Sequence, residues 1–222
     1  AMDPQQRVFL EVVWGLLEDA GYTRKTVSRK TGVYVGVVSN DYCSYANEAA
    51  LRGISAYRAS DYYQIPNRIS YFFDFQGPSV AIDTACSGSG TAIHLACESL
   101  YKGEVETAIV GGVNLFLHPG RFIQYSQMQM LSHGDKCRPF SAEADGTLFG
   151  EGIGAFLLKP REAAERDGDV IYGVIKSTSV NSGGKTNGFT VPNPQAHAAL
   201  ISEALEKAEV DPRTISYVEA HG

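Results

Sequence analysis

Residues 78–103 read PSVAIDTACSGSGTAIHLACESLYKG, and the reading of this stretch decides the fold. An apolar run, Ser79 to Ile82, has the length of a short strand and ends in Asp83-Thr84-Ala85. Cys86 follows, and then the small residues Ser87-Gly88-Ser89-Gly90. Ile93, Ala96, Cys97 and Leu100 recur at i, i+3, i+4 and i+7, the spacing of one helix face. Gly103 stands where a helix stop is expected. The stretch therefore predicts strand, sharp turn and helix, with a thiol at the turn. A cysteine at a helix N-terminus faces unpaired backbone N–H groups and the positive end of the helix dipole. Both favour the thiolate, which is the reactive form. An isolated cysteine is more often a small buried thiol, and the residues alone leave both readings open.

Working outward, ETAIVGGVNLF (106–116) predicts a second buried strand, with Gly111-Gly112 allowing close backbone approach. Strand, helix, strand over this interval is a βαβ unit, so the sheet is expected to be parallel here. Upstream, GVYVGVV (32–38) predicts another buried strand. PNRISYFF (66–73) predicts a helix leading into the turn FDFQGPS. Residues 3–21 predict an amphipathic helix that Asp3 caps and Pro4 starts. Its face of Phe9, Val12, Val13, Leu16, Leu17 and Ala20 reads as packing without chemistry. Residues 40–64 show no clean period and read as a loop with a short helix. Downstream, 117–150 reads as a long loop of the kind that lines a site. IGAFLLK (153–159) predicts a strand and PREAAERDG a polar helix. VIYGVIKSTSVNS (170–182) predicts a long alternating strand, and GGKTNGFTVPNP (183–194) a loop. Gln195 to Glu209 predicts a helix, and ISYVEA (215–220) a last strand ending on His221. The two ends read as internal to a domain rather than natural termini.

Of the 222 residues, 44% are apolar and 20% charged, a globular composition. The formal net charge is −6 with no basic block, which argues against nucleic acid or an anionic membrane as the main partner. No apolar run approaches a bilayer span, and no signal peptide is visible. Cys43, Cys86, Cys97 and Cys137 lie far apart, so neither a zinc site nor a disulfide framework is suggested. A reducing cytoplasm is the expected location.

Cys86 is the first candidate for chemistry, and Cys97, on the apolar helix face, reads as core. His221 would stand at the C-terminal end of a strand, the edge where α/β sites form. Pattern alone favours a surface histidine there. His94 reads as structural, and His118, His133 and His197 have no nameable partner. Lys185-Thr186-Asn187-Gly188 lacks the Walker spacing, so nucleotide binding is not indicated. Glu143, Asp145 and Glu151 sit in a glycine-rich setting where backbone hydrogen bonding is at least as good a reading as acid/base work.

Taken together, MDPQQRVFLE (2–11), GVYVGV (32–37), NRISYFFDFQGPSVAIDTACSGS (67–89), GGVNLFLHP (111–119), CRPFSAEADGTLFGEGIGAFLLKP (137–160) and VEAHG (218–222) resemble the β-ketoacyl synthase (ketosynthase) domain of a modular polyketide synthase, of the thiolase-like superfamily. YGVIK (172–176) and NSGGKTNGFTVPNP (181–194) further resemble ketosynthases of modules served by a separate, trans-acting acyltransferase. Gly88 departs from the family's usual second serine in TACSSS.

The resemblance implies an α/β fold, a layered α/β/α/β/α sandwich, of which 1–222 would be most of the first half and the start of the second. On this expectation the chain is an internal fragment, a partial ketosynthase domain inactive by itself. It implies Cys86 as the acyl-accepting nucleophile, with its backbone N–H in the oxyanion hole. It implies His221 as the first catalytic histidine, the one in the family's HGTGT motif. No cofactor or metal is implied, since substrates ride on the phosphopantetheine of acyl carrier proteins. The PSVAID strand would lie at a sheet edge where two subunits pair into a homodimer. A condensing enzyme of fatty-acid synthesis, or a ketosynthase-like acyl-transfer or gating domain that does not condense, stays open as an alternative.

Overall fold

The computed structural model describes residues 2–55 and 60–221, so residues 56–59 of the 40–64 stretch lie outside what is described. Among the described residues, one four-stranded sheet is present, in the order β2-β1-β3-β4. Its strands are β1 (Thr31–Val37), β2 (Ser79–Ile82), β3 (Thr107–Asn114) and β4 (Gly152–Leu158). β1 pairs in parallel with β2, Val33 opposite Ser79, and with β3, Thr31 opposite Thr107. β4 is antiparallel to β3. Because β1, β2 and β3 run the same way, their C-terminal ends open on one edge, where loops 38–41, 83–87 and 115–119 meet. β2 is an edge strand, as the resemblance implies.

Helices cover both faces. α1 (Pro4–Asp19) and α3 (Gln64–Phe73) pack on one, with Phe9, Val13, Leu17, Ile65, Ile69 and Phe73 buried against Val33, Val35, Val37 and Ile109. α4 (Gly88–Tyr101) packs on the other, with Ala92 and Ala96 buried beside Tyr34, Ile82, Ala108 and Val110. The βαβ unit holds, although β2 and β3 are not neighbours: α4 crosses over β1, which lies between them. Helix, sheet and helix are the first three layers of the expected sandwich. No helix among the described residues is long and apolar enough to cross a membrane.

The remaining helices are α2 (Tyr42–Leu51), α5 (Gly120–Gln127), α6 (Arg161–Asp167) and α7 (Pro194–Ala208), with a 3-10 turn at Pro212–Thr214. α5 falls inside the stretch read as loop. It buries no residue, so no inward apolar stripe marks it in the sequence. Two predicted strands are corrected. Residues 170–182 and 215–220 carry the alternating pattern but pair with no strand among the described residues. A strand exists only where its N–H and C=O groups find a ladder partner. Residues 177–181 instead bond to α7, through Ser177 Oγ donating to Ala204 O (2.6 Å) and Asn181 Nδ2 to Ala196 O (2.8 Å). Tyr172, Tyr217 and Val218 remain exposed.

The face of α4 also differs from expectation by one position. Gly88, Ala92, Ala96 and Ser99 point inward, while Cys97 is only half-buried and Ile93 and Leu100 flank the core. Small residues face the sheet because the helix lies very close to it.

Candidate functional site

Cys86 sits on the turn from β2 into α4, exposed and unpaired. The backbone just before it is strained: Ala85 has φ 53°, the left-handed region that a β-carbon disfavours. Local hydrogen bonds hold that conformation. The Ala85 N–H donates to Asp83 Oδ1 at 3.0 Å, and the Gly88 N–H donates back to Ala85 O at 3.0 Å. Ser87 occupies the N-cap position yet makes no capping bond to the helix. Its hydroxyl turns back instead, to Thr84 O at 2.9 Å and Thr84 Oγ1 at 3.0 Å. No side chain therefore caps the first turn of α4, which follows Cys86 directly.

Glycines beneath the turn set its position. A β-carbon on Gly36 of β1 would meet Ser89 N at 2.5 Å, and one on Gly112 of β3 would meet Ser89 Cβ at 3.2 Å. Backbone packing thus requires Gly36 and leaves little room at Gly112, and it seats Ser89 directly on β1 and β3. The glycines after Cys86 are not held to glycine in this way: a β-carbon on Gly88 meets nothing closer than 3.4 Å, and one on Gly90 meets nothing within 4 Å. The turn has room for the serine that the resemblance expects.

The other cysteines separate cleanly from Cys86. Cys97 is half-buried, and burial, with Glu98 beside it, pushes its thiol up. Cys43 is half-buried and donates to Asn40 O at 2.8 Å. Cys137 is exposed but accepts the Leu148 N–H at 3.1 Å inside the 128–150 loop.

His221 is exposed and lies in the segment that forms no strand. No hydrogen bond or ion pair joins it to Cys86 among the described residues. His94 is structural, as read, with Nδ1 2.8 Å from Thr178 Oγ1.

Two carboxylates of the glycine-rich loop, Asp145 and Glu151, accept backbone N–H groups. Asp145 accepts from Ser132 Oγ at 2.6 Å and from the His133 N–H at 3.1 Å, and these bonds hold its carboxyl below the usual range. Glu151 accepts the Phe116 N–H at 2.6 Å. Gly146, at φ 145°, packs so tightly that a β-carbon would fall 2.6 Å from Ser132 N.

The strand-end edge carries polar groups that the sequence reading passed over. Arg121 Nε lies 3.6 Å from Asp41 Oδ1, and Arg121 Nη1 donates to Asn114 Oδ1 at 3.2 Å. Burial raises the Asp41 carboxyl against the opposing pull of Arg121 and His118. His118 finds its partner in Glu48, Nε2 to Oε1 2.9 Å, while Nδ1 accepts the Gly120 N–H at 3.1 Å. That places the ring proton on Nε2. Asp3, Gln5 and Gln6, read as helix start and packing, form a buried clasp. Gln5 Nε2 donates to Ser39 O at 2.9 Å and its Oε1 accepts the Leu115 N–H at 3.1 Å, tying the ends of β1 and β3 together. The available signal was phase: Gln6 falls three residues before Phe9, on the inward face.

Comparison with known proteins gives consistent matches. The family profile "Beta-ketoacyl synthase, N-terminal domain" matches residues 1–164, and "Beta-ketoacyl synthase, C-terminal domain" matches residues 172–222. The chain is 51% identical to Polyketide synthase PksL of Bacillus subtilis over 100% of its own length and 5% of the relative's. It is 46% identical to Polyketide synthase ThaG of Burkholderia thailandensis, again over 100% of its length and 4% of the relative's. Among solved structures it resembles an oxazolomycin ketosynthase domain of Streptomyces albus, with TM-score 0.96, 50% identity and coverage of 100% of this chain and 38% of that one. It also resembles the ketosynthase from module 6 of the bacillaene synthase of Bacillus subtilis, with TM-score 0.92, 40% identity, and the same 100% and 38% coverage. The chain thus spans about a twentieth of the curated relatives and well under half of the solved ketosynthases.

Proposed function

Because the chain belongs to the β-ketoacyl synthase family and has that family's thiolase-like fold, we propose that it is part of a condensing ketosynthase domain of polyketide biosynthesis, with Cys86 as the acyl-accepting nucleophile. The observation that carries the reading is the Cys86 turn: the thiol is exposed beside the side-chain-free first turn of α4.

The chemistry runs in two halves. The Cys86 sulfur attacks an acyl thioester on the phosphopantetheine of an acyl carrier protein. A new S–C bond forms, the carrier's S–C bond breaks, and the carrier thiol takes a proton. Backbone N–H groups at the turn, including that of Cys86, stabilise the oxyanion. A malonyl-type extender on a second carrier then loses carbon dioxide. The resulting enolate attacks the Cys86 thioester, lengthens the chain by two carbons and returns the Cys86 thiolate. His221 is assigned to hydrogen-bond the enolate oxygen as it forms.

The partners are acyl carrier proteins and a second copy of the domain, pairing along the open edge of β2. A net charge of −6 supports a partner other than nucleic acid or membrane, and the four unpaired cysteines support a cytoplasmic location. The relatives are polyketide synthases by name, which favours this reading over fatty-acid condensation. A non-condensing transfer domain is the second reading, since no described contact couples Cys86 to His221. The test is product formation by the domain containing this chain, supplied with acyl and malonyl carrier proteins. Loading without carbon dioxide release and chain extension would give the second reading instead.

A further inference from the structure

The geometry points to Thr91 as a positioning residue for Cys86, acting through Thr84 and Ser87. This rests on the reading of Cys86 as nucleophile. Thr91 is the fourth residue of α4, and its hydroxyl lies 3.0 Å from Thr84 Oγ1. Ser87 donates to Thr84 O and Oγ1, at 2.9 and 3.0 Å. The Thr91 N–H meanwhile donates to Ser87 O at 2.8 Å. The three hydroxyls form a chain from inside the helix to the residue after Asp83, and Cys86 stands on the arc they close.

The arc needs closing because Ala85 is strained at φ 53°. Capping the helix in the ordinary way would take Ser87 away from the turn; bonded to Thr84, it keeps the turn shut and leaves the first turn of α4 without a side-chain cap. Thr84 and Ser87 are exposed, so water competes for both hydroxyls. Thr91 is the half-buried end of the chain and anchors it to the helix. A valine would fill the same space but would leave Thr84 without that anchor.

The test is competitive alkylation of the purified protein with iodoacetamide, read cysteine by cysteine in peptide mass spectra. Each thiol displaces iodide and loses its proton to solvent. Cys137, exposed and remote in sequence, is the internal reference, and half-buried Cys97 reports unfolding. Thr91→Val should lower the Cys86 rate relative to Cys137 by about three- to tenfold, the worth of one hydrogen bond, with Cys97 unchanged. Thr91→Ser should restore it. Thr84→Ala breaks the same link from the exposed end and should reproduce the loss even where Thr91→Val disturbs folding. An unchanged Cys86-to-Cys137 ratio in Thr84→Ala overturns the inference, as does a Thr91→Ser ratio as low as that of Thr91→Val. Acyl loading of the unsubstituted protein is measured separately. Loading with an unchanged ratio overturns the positioning role alone, whereas absent loading overturns the nucleophile reading and leaves the ratio interpretable.

Discussion

A β-carbon on Gly36 would fall 2.5 Å from the backbone nitrogen of Ser89. The first turn of α4 thus rests directly on the backbone of β1, and that contact sets where Cys86 emerges. Gly36→Ala should push the turn off the sheet and cost about 1–3 kcal/mol, as overpacking does. The urea midpoint should fall, and Cys86 loading should fall more steeply than stability does. Unchanged loading in a folded Gly36→Ala protein would show that the contact does not set the sulfur's position.

Gly88 predicts the reverse. A β-carbon there makes only ordinary contacts, with Ile82 O at 3.4 Å and Gly36 Cα at 3.5 Å. Gly88→Ser should fold normally and gain up to about 1 kcal/mol from the reduced freedom of the unfolded chain. Thermal melting checks it, and a clear loss of stability would mean the turn is tighter than it looks.

The buried clasp at the start of α1 gives a third expectation. Gln5→Ala removes the acceptor of the Leu115 N–H and the donor to Ser39 O, both at the ends of central strands. Leaving such groups unpaired should cost about 2–4 kcal/mol. The urea midpoint measures this, and a loss below about 1 kcal/mol would mean that water replaces the side chain.

A fourth expectation concerns acid. Lys159 Nζ lies 2.6 Å from Asp167, 2.7 Å from Asp169 and 2.9 Å from the Tyr22 hydroxyl, stapling the end of α1 to β4 and α6. Hydrogen bonds from Arg166 and then Lys159 bring Asp167 down to about 2. Asp169 is held low by Lys159 and Tyr22 against the opposing effect of burial. Depressed carboxylates stabilise the fold above their unfolded value of about 4, and that contribution is lost as pH falls toward 2. Melting temperature should therefore drop over this window. Lys159→Met should be less stable than the unsubstituted protein at pH 6, with the gap closing by about pH 2. A gap independent of pH would contradict the staple.

Much of the fold is legible in the sequence because burial writes periodicity. β1, β2 and β3 are continuous or near-continuous apolar runs, and α1 and α4 repeat at helical spacing. α2 and α5 bury no residue and so leave no stripe to read. Residues 170–182 and 215–220 show the opposite failure, since alternation is a property of the segment and a strand is a property of two. At the site, Cys86 is legible from its small neighbours. The Thr84–Ser87–Thr91 hydroxyls and the Asp41–Arg121 contact are not, because each depends on loops and turns meeting in space. Gln5 and Gln6 were legible only by phase.

The central claim is that Cys86 is the acyl acceptor. It is tested most directly by the intact mass of the domain containing this chain after incubation with an acyl-pantetheine thioester, followed by peptide mapping. The expected result is a single acyl adduct on the peptide carrying Cys86, absent in Cys86→Ala and unaffected in Cys97→Ala. An adduct that persists undiminished in Cys86→Ala, or that maps to Cys137, would contradict it.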